Sequence, residues 1–541
     1  MRALDRRVIE EVGLPGLVLM ENAALGVVEA IARHYPAAES AAIFCGPGNN
    51  GGDGLAVARQ LAARGYGVEV FVAAGGRPLA GDAALQLAVC RRLGLTVHEI
   101  GPAAPTGGVG AKDGESAGLP GDGEDGEEAD QPGVAGWVAA AWEHDLVVDA
   151  LFGTGLARPL GGFFARLVEG LNEVPRPRVA VDIASGISGS SAEPLGPHLR
   201  ADLTVTFAAP KVGHIFPPAS AAAGELAVAD LGYPARLVEE AEGDLHLLVG
   251  EELAGLLPPR AGDSHKGDYG HLLLVAGALG KAGAAVLAAR AAVRAGAGLV
   301  TVATPAPVLP ILQLGSTESM VVALPAGDAG ALAAGAAAAV LALLEGVAGK
   351  SALALGPGLG QDAATAAAIR EVVAGARLPL VLDADGLNAY AGRAGELAAR
   401  PAPTVLTPHP GELGRLLGTS AAAVQADRPA AARRAAALTG AIVVLKGSLT
   451  LIAAPGGGLY VNPTGNPGMA TGGSGDVLTG ILGALLAQRL APLDATRLAV
   501  YLHGLAGDLA MARLGGPSLA AGDLIEALPG AFAELAAGTA P

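Results

Sequence analysis

Ala41-Ala42-Ile43-Phe44-Cys45-Gly46-Pro47-Gly48-Asn49-Asn50-Gly51-Gly52-Asp53-Gly54 is an apolar run of strand length that stops on a glycine-rich segment, and the helical pattern Leu55 to Arg64 follows directly. Strand, glycine-rich loop and helix in that order make the phosphate-binding end of a doubly wound parallel sheet, where ligands sit beyond the carboxyl ends of the strands. The motif is not the dinucleotide pattern GxGxxG. Asn49, Asn50 and Asp53 add side-chain oxygens that suit a cation or a ribose; the competing reading is a plain turn built from its usual residues.

Working outward, the first half repeats the arrangement. Val68 to Val72 is a strand and Gly81 to Gly94 a helix. Leu146 to Leu151 resumes the sheet and ends in Phe152-Gly153-Thr154-Gly155-Leu156-Ala157-Arg158-Pro159, and Val179 to Ile183 does so again, ending in Ala184-Ser185-Gly186-Ile187. One acid near a strand end would be a cap, whereas Asp53, Asp149 and Asp182 on the same edge of one parallel sheet look like a site. Two N-terminal helices flank Gly13-Leu14-Pro15-Gly16. The strand Leu203 to Phe207 is followed by Lys211 and His214, Leu226 to Asp230 closes the sheet, and Pro234 to Leu257 reads as a connection.

A chain of 541 residues exceeds one core, and two domains are expected, at 1–232 and 245–541. Hydrophobic residues make up 51% but aromatics only 3%, so Ala, Val and Leu must build the cores. No apolar run approaches the ~20 residues of a membrane span, and the N-terminus lacks a signal-peptide core, so a cytoplasmic chain with no membrane partner is expected. Cys45 and Cys90 form no disulfide framework and have no zinc spacing. The net charge of −17 argues against nucleic acid, though Asp113 to Asp130 alone carries eight acids. That run belongs to a segment at about 102–135 with no apolar period, expected to be a mobile surface insertion.

The C-terminal half opens on His265-Lys266-Gly267-Asp268-Tyr269-Gly270. Strands are expected at His271 to Ala276, Leu299 to Ala303, Ala352 to Leu355, Leu380 to Asp383, Thr404 to Thr407, Ile442 to Leu445 and Leu449 to Ile452, with helical patterns between most of them. The alternation predicts a second parallel-type α/β sheet. Its loops would gather Gly356-Pro357-Gly358-Leu359-Gly360, Asp383 to Asn388, Thr407-Pro408-His409-Pro410-Gly411-Glu412 and Lys446-Gly447-Ser448-Leu449-Thr450 around Asn466 to Gly480. In that last stretch Gly472-Gly473-Ser474-Gly475 offers converging amides at a helix N-terminus, and Asp476 stands beside them as a candidate base for a hydroxyl attacking phosphorus. The alternative is a glycine-rich turn with Asp476 as its helix cap. His409 is either a turn residue or a substrate contact.

Over nearly its whole length the chain resembles the bifunctional NAD(P)H-hydrate repair enzymes. The N-terminal half is similar to the epimerase domain through Leu19-Met20-Glu21-Asn22-Ala23, Gly48 to Gly54, Asp149 with Gly153-Thr154-Gly155, and Val181 to Gly186. The C-terminal half resembles the ADP-dependent dehydratase, a ribokinase-like fold, through Thr407 to Glu412, Lys446-Gly447 and Gly472 to Asp476. Ala184 stands where the family usually has Pro, and the acidic insertion is outside the family pattern.

The resemblance implies an N-terminal Rossmann-like three-layer α/β/α domain and a C-terminal ribokinase-like α/β domain. It implies that Asn49, Asn50, Gly51, Gly52, Asp53, Gly153, Thr154, Gly155, Leu156, Ala157, Arg158, Pro159 and Asp182 bind hydrated NADH or NADPH, with a potassium ion on Asn50, Asp149 and Ser185. In the C-terminal half it implies Gly358, His409 and Asp476 for the hydrate, and Lys446, Gly447, Ser448, Leu449, Thr450 and Gly475 for the adenine nucleotide. ADP is the expected co-substrate, with magnesium, and Asp182 and Asp476 are the expected catalytic residues; a homo-oligomer is expected. Two rivals stand beside this: a ribokinase-like kinase that stops at the phosphoester, and a first half that binds nucleotides without catalysis.

Overall fold

The computed structural model describes residues 2–101, 133–241, 243, 245–257, 260–345 and 350–538. It divides into two compact units, 1–242 and 243–541. The segment expected as an insertion lies outside the described residues except at its end, where the helix Val134–Trp142 has already begun.

The first unit is built on seven strands: β1 (Ser40–Cys45), β2 (Gly67–Val72), β3 (Thr96–Glu99), β4 (Leu146–Ala150), β5 (Arg178–Val181), β6 (Leu203–Phe207) and β7 (Glu225–Ala229). Their order is β3-β2-β1-β4-β5-β6-β7, and every pairing is parallel. The order reverses between β1 and β4, which leaves a crevice at their carboxyl ends. β4 is buried at every position, as a strand covered on both faces must be. Ile43, Val70, Val148 and Val179 pack on one face and Phe44, Phe71, Val147 and Ala180 on the other, so the alternation of the strands feeds two separate cores.

The second unit carries ten strands: β8 (Leu245–Leu247), β9 (His271–Val275), β10 (Leu299–Pro305), β11 (Met320–Leu324), β12 (Lys350–Leu355), β13 (Leu380–Leu382), β14 (Thr404–Leu406), β15 (Ile442–Leu445), β16 (Leu451–Ala453) and β17 (Leu459–Val461). The order is β11-β10-β9-β12-β13-β14-β15-β16-β17-β8. It is parallel from β11 to β15, but β16 runs antiparallel to both neighbours. The segment 446–450 is too short for a crossover and can only close a hairpin. β3, β8, β11 and β17 are additions to the expected strands; β8 turns part of the expected connection into an edge of this sheet.

With few aromatics, the core of this unit is closed by small residues. The helix Ala282–Arg294 lies against the helix Ser474–Ala487 so closely that a Cβ on Gly480 would stand 2.2 Å from the Ala288 carbonyl oxygen. Leu482 and Leu485 on the same helix are fully buried, and truncating either to Ala would cost ~2–5 kcal/mol. That packing holds the N-terminus of Ser474–Ala487 against the sheet edge.

Candidate functional sites

In the first unit a cleft of about 980 Å³ lies over the carboxyl ends of β1, β4 and β5. Asn49, Asn50, Asp53, Gly153 to Arg158 and Asp182 line it. Gly51, Gly52 and Pro159 do not. The helix begins at Asn49 rather than at Leu55, so the expected loop is its first turns. A Cβ on Gly51 would stand 1.9 Å from the Gly46 carbonyl oxygen, and one on Gly54 2.4 Å from Ala150 Cβ. These glycines serve close helix–strand packing, the use the third glycine has in dinucleotide folds.

Asp149 lies beneath the cleft floor, fully buried. Its Oδ1 accepts the Ser185 hydroxyl at 2.6 Å and the Leu151 N–H at 3.1 Å, and its Oδ2 accepts the Ser185 N–H at 2.8 Å. Burial pushes its carboxyl up, against the pull of the Ser185 and Leu151 bonds. Among the described residues Asn50 Nδ2 is buried with no hydrogen-bond partner, and a Cβ on Gly153 would lie 3.1 Å from Asn50 Oδ1. An amide, a carboxylate and a hydroxyl are oxygen donors of the kind a hard cation takes.

Asp182 leaves β5 with φ 66, a left-handed conformation rare for a residue with a Cβ. Its Oδ1 accepts Lys211 Nζ at 2.6 Å and the Thr206 hydroxyl at 3.2 Å. Asp53 stands in the same cleft, where burial first, and then Asp182 and Asp5, push its carboxyl well above the usual range. Lys211 also lines the cleft. Its place in the sequence, a few residues behind a strand, suggests no role, because its partners lie on β6 and at the end of β5.

In the second unit the ends of β13 and β15 meet the helix Ser474–Ala487 through Asp383 and Lys446, and the loops after β12 and β14 join them through Asp385 and Glu412. Asp476 sits in its first turn, and Gly473, at φ 93, is the N-cap with no side-chain bond. Asp476 is therefore not the helix cap. Burial first, and the neighbouring Asp383 second, push its carboxyl up to about 7, with Lys446 pulling the other way. Lys446 Nζ is 2.9 Å from Asp383 Oδ1 and 3.7 Å from Glu412 Oε2. Asp383 Oδ2 accepts the Thr479 hydroxyl at 2.7 Å. A Cβ on Gly475 would lie 3.2 Å from Lys446 Nζ, so the missing side chain lets the ammonium lie over the helix start.

His409 caps the helix Pro410–Leu417: its Nδ1 accepts the Gly411 N–H at 3.0 Å, and its own backbone N–H donates to Glu412 Oε2 at 2.8 Å. Its ring is half exposed, so it is at once a cap and open to a ligand. Gly358, at φ 64, borders Lys281, whose Nζ is 3.3 Å from Asp385 Oδ2. Asp385 in turn accepts the Gly360 N–H at 2.8 Å and Gln361 Nε2 at 2.9 Å, fixing the loop that holds Gly358.

Gly447 and Ser448 are exposed; Leu449 and Thr450 are partly so. Arg428 holds this loop by donating to the carbonyls of Leu445 at 3.3 Å, Leu449 at 3.4 Å and Ser448. Behind the helix start, His503 Nε2 lies 2.9 Å from the Ser474 carbonyl oxygen, and burial pushes its pKa down to about 4. Asp383 lies in a loop that the sequence expected here but without a role of its own, and Arg428 and His503 join the arrangement unforeseen. Asp383 carries a usable signal, an acid at the end of an apolar strand; the other two lie on helices whose docking no spacing reveals.

Comparison with known proteins agrees with this division. The family described as YjeF-related protein N-terminus matches residues 16–213, and that described as NAD(P)H-hydrate dehydratase matches 272–530. The bifunctional NAD(P)H-hydrate repair enzyme Nnr of Moorella thermoacetica is 44% identical over 98% of this chain and 94% of its own length. That of Thermofilum pendens is 39% identical over 99% and 95%. Among solved structures, the ADP/ATP-dependent NAD(P)H-hydrate dehydratase from Bacillus subtilis, co-crystallised with ATP and Mg2+, is 33% identical, covering 54% of this chain and 98% of that one with a TM-score of 0.48. With such identity running through both units, the chain belongs to the family of bifunctional NAD(P)H-hydrate repair enzymes.

Proposed function

We propose that the chain repairs hydrated NADH and NADPH: the first unit interconverts the R and S hydrates at carbon 6 of the nicotinamide ring, and the second dehydrates the S hydrate at the expense of ADP. The observation that carries this reading is Asp476, a partly buried carboxyl in the first turn of a helix beside Lys446 and Asp383, pushed up to about 7. A base with that affinity is matched to a hydroxyl proton near neutral pH. Asp476 takes the proton of the carbon 6 hydroxyl, and the oxygen attacks the β-phosphorus of ADP in line with departing AMP. The amides of Gly472 to Gly475 and Lys446 face the developing charge. The ring nitrogen's lone pair then expels phosphate from carbon 6, and the iminium so formed loses a proton from carbon 5 to restore NAD(P)H.

Among the described residues no three His, Cys, Asp or Glu side chains converge as a metal cage. That suits a magnesium ion carried on the nucleotide phosphates with Asp383 and Asp476 nearby, and when bound it supplies counter-charge to the phosphates. In the first unit Asn50, Asp149 and Ser185 would hold potassium: Asn50 Oδ1 and the buried oxygens of Asp149 and Ser185 are donors of the kind a monovalent cation takes. It would supply order and counter-charge beneath the cleft, while Asp182 handles protons above it. Cytoplasmic placement and a homo-oligomer belong to the same reading.

The test is to give the full chain a mixture of both hydrates with and without ADP. Without ADP, R and S should interconvert; with ADP, both should be consumed to NAD(P)H, AMP and phosphate. A stable organic phosphate as end product would instead make the second unit a kinase.

A further inference from the structure

The cleft of the first unit presents one ion pair whose lysine has no role in either proposed reaction. Lys211 Nζ lies 2.6 Å from Asp182 Oδ1, 2.6 Å from Thr206 Oγ1 and 3.1 Å from the Phe207 carbonyl oxygen. An ammonium has three N–H donors, and these three acceptors use all of them. The Lys211 side chain is 6% exposed and that of Asp182 13%. Lys211 is thus saturated and has no donor left for a substrate hydroxyl. Thr206 closes the arrangement, accepting from Lys211 and donating to Asp182 Oδ1 at 3.2 Å.

All of this falls on one oxygen of Asp182. Among the described residues Oδ2 has no hydrogen-bond partner, and Asp182 lines the cleft. The carboxylate is held from behind by two side chains and offers its other oxygen to a ligand. The backbone adds a reason why it needs holding: φ 66 is uncommon for a residue with a Cβ and persists where the surroundings fix it. Lys211 itself is anchored, its backbone N–H donating to His214 Nδ1 at 3.1 Å.

We infer that Lys211, with Thr206, is a positioning residue for epimerisation: it locks the Asp182 carboxylate so that Oδ2 faces carbon 6 of the hydrate. The inference rests on reading the first unit as the hydrate epimerase. In the step so aligned, the carbon 6 to oxygen bond breaks as the ring nitrogen's lone pair forms the iminium. The departing oxygen leaves as water, having taken a proton within the cleft. A second water adds to the other face as Oδ2 takes its proton, so no oxidant, reductant or further reactant is consumed.

The test uses the full chain without ADP, following interconversion of separated R and S hydrates by NMR. Lys211→Ala should lower kcat about 10²-fold, the cost of a misplaced reacting group, with KM little changed. Methylammonium ion should restore part of the lost rate, and Lys211→Arg should retain more activity than Lys211→Ala. Thr206→Val, which keeps the charge, should lower kcat less than Lys211→Ala does. Normal kcat in Lys211→Ala, or a rise in KM alone, would overturn the assignment. So would a loss of rate that methylammonium and Lys211→Arg both fail to relieve, since that marks a purely structural lysine. A wild-type chain that leaves R and S unexchanged would instead remove the epimerase reading itself.

Discussion

Lys446 Nζ stands 2.9 Å from Asp383 Oδ1, and this contact ties the loop after β15 to the end of β13 directly above the first turn of Ser474–Ala487. Asp383 is 1% exposed and its other oxygen is taken by Thr479. The lysine is therefore a counter-ion within the protein, whatever ligand it also meets under the proposed function. It also keeps Asp476 usable: Asp383 pushes the Asp476 proton affinity up and Lys446 pulls it down.

Asp383→Ala should cost stability as well as turnover, because it leaves Lys446 only the more distant Glu412, at 3.7 Å, and takes the acceptor from the Thr479 hydroxyl. Breaking a buried ion pair costs ~3–5 kcal/mol, and with the Lys446 side chain 21% exposed the lower end is expected. The double substitution Lys446→Met with Asp383→Leu should regain much of that in thermal denaturation while ADP-dependent dehydration stays abolished. Recovery of dehydration together with stability would show that the pair is only structural.

Asp476→Asn should separate affinity from rate. ADP should still bind, since the Gly472 to Gly475 amides and Lys446 remain, while turnover falls by the ~10²–10⁴ of a lost general base. Interconversion of R and S in the other unit should continue. Calorimetric titration with ADP beside a rate measurement decides it, and unchanged turnover would send the proton by another route.

The pH dependence follows from the same carboxyl. Its proton must be off for catalysis, so kcat/KM for dehydration should fall as pH drops through about 7. For stability the sign is opposite: a folded value of about 7 against an ordinary 3.8 means stability that is complete below pH 3.8 and lost as pH rises through about 7. Asp476→Asn should thus melt higher than wild type at alkaline pH. A shift of about three units sets a ceiling near ~4 kcal/mol. Equal melting temperatures at pH 8 would place the carboxyl in a wetter site.

Arg428→Ala should loosen the loop 446–450 without touching the hydrate subsite. Losing charge-assisted bonds worth ~1.5–3 kcal/mol should raise KM for ADP by about tenfold or more, with KM for the S hydrate held. A parallel rise in both would mean that Arg428 supports the whole sheet edge.

Asp182→Asn should abolish interconversion while the second unit keeps full ADP-dependent activity on the S hydrate. Interconversion near the wild-type rate would leave Asp182 a binding residue, and Lys211 with it.

What the sequence determined was local. Apolar runs such as Ala41 to Cys45 and Leu146 to Ala150, each ending on glycine and acid, specify strands buried on both faces with ligand sites expected at their carboxyl ends, and residue order alone places Asp149 and Asp182 near those ends. The amides around Gly473 and the place of Asp476 in the first helical turn were legible for the same reason, since a helix start is written in consecutive residues. Tertiary structure decided what touches what. Lys211 lies 29 residues from Asp182, and Lys446 lies 63 from Asp383. Such pairs exist only after parallel strands distant in sequence align, and no periodicity encodes which lysine meets which acid. The glycines at 51 and 54 read as part of a phosphate-binding loop and prove to be packing surfaces, because whether a missing Cβ gives freedom or close approach depends on the strand that comes to lie against it.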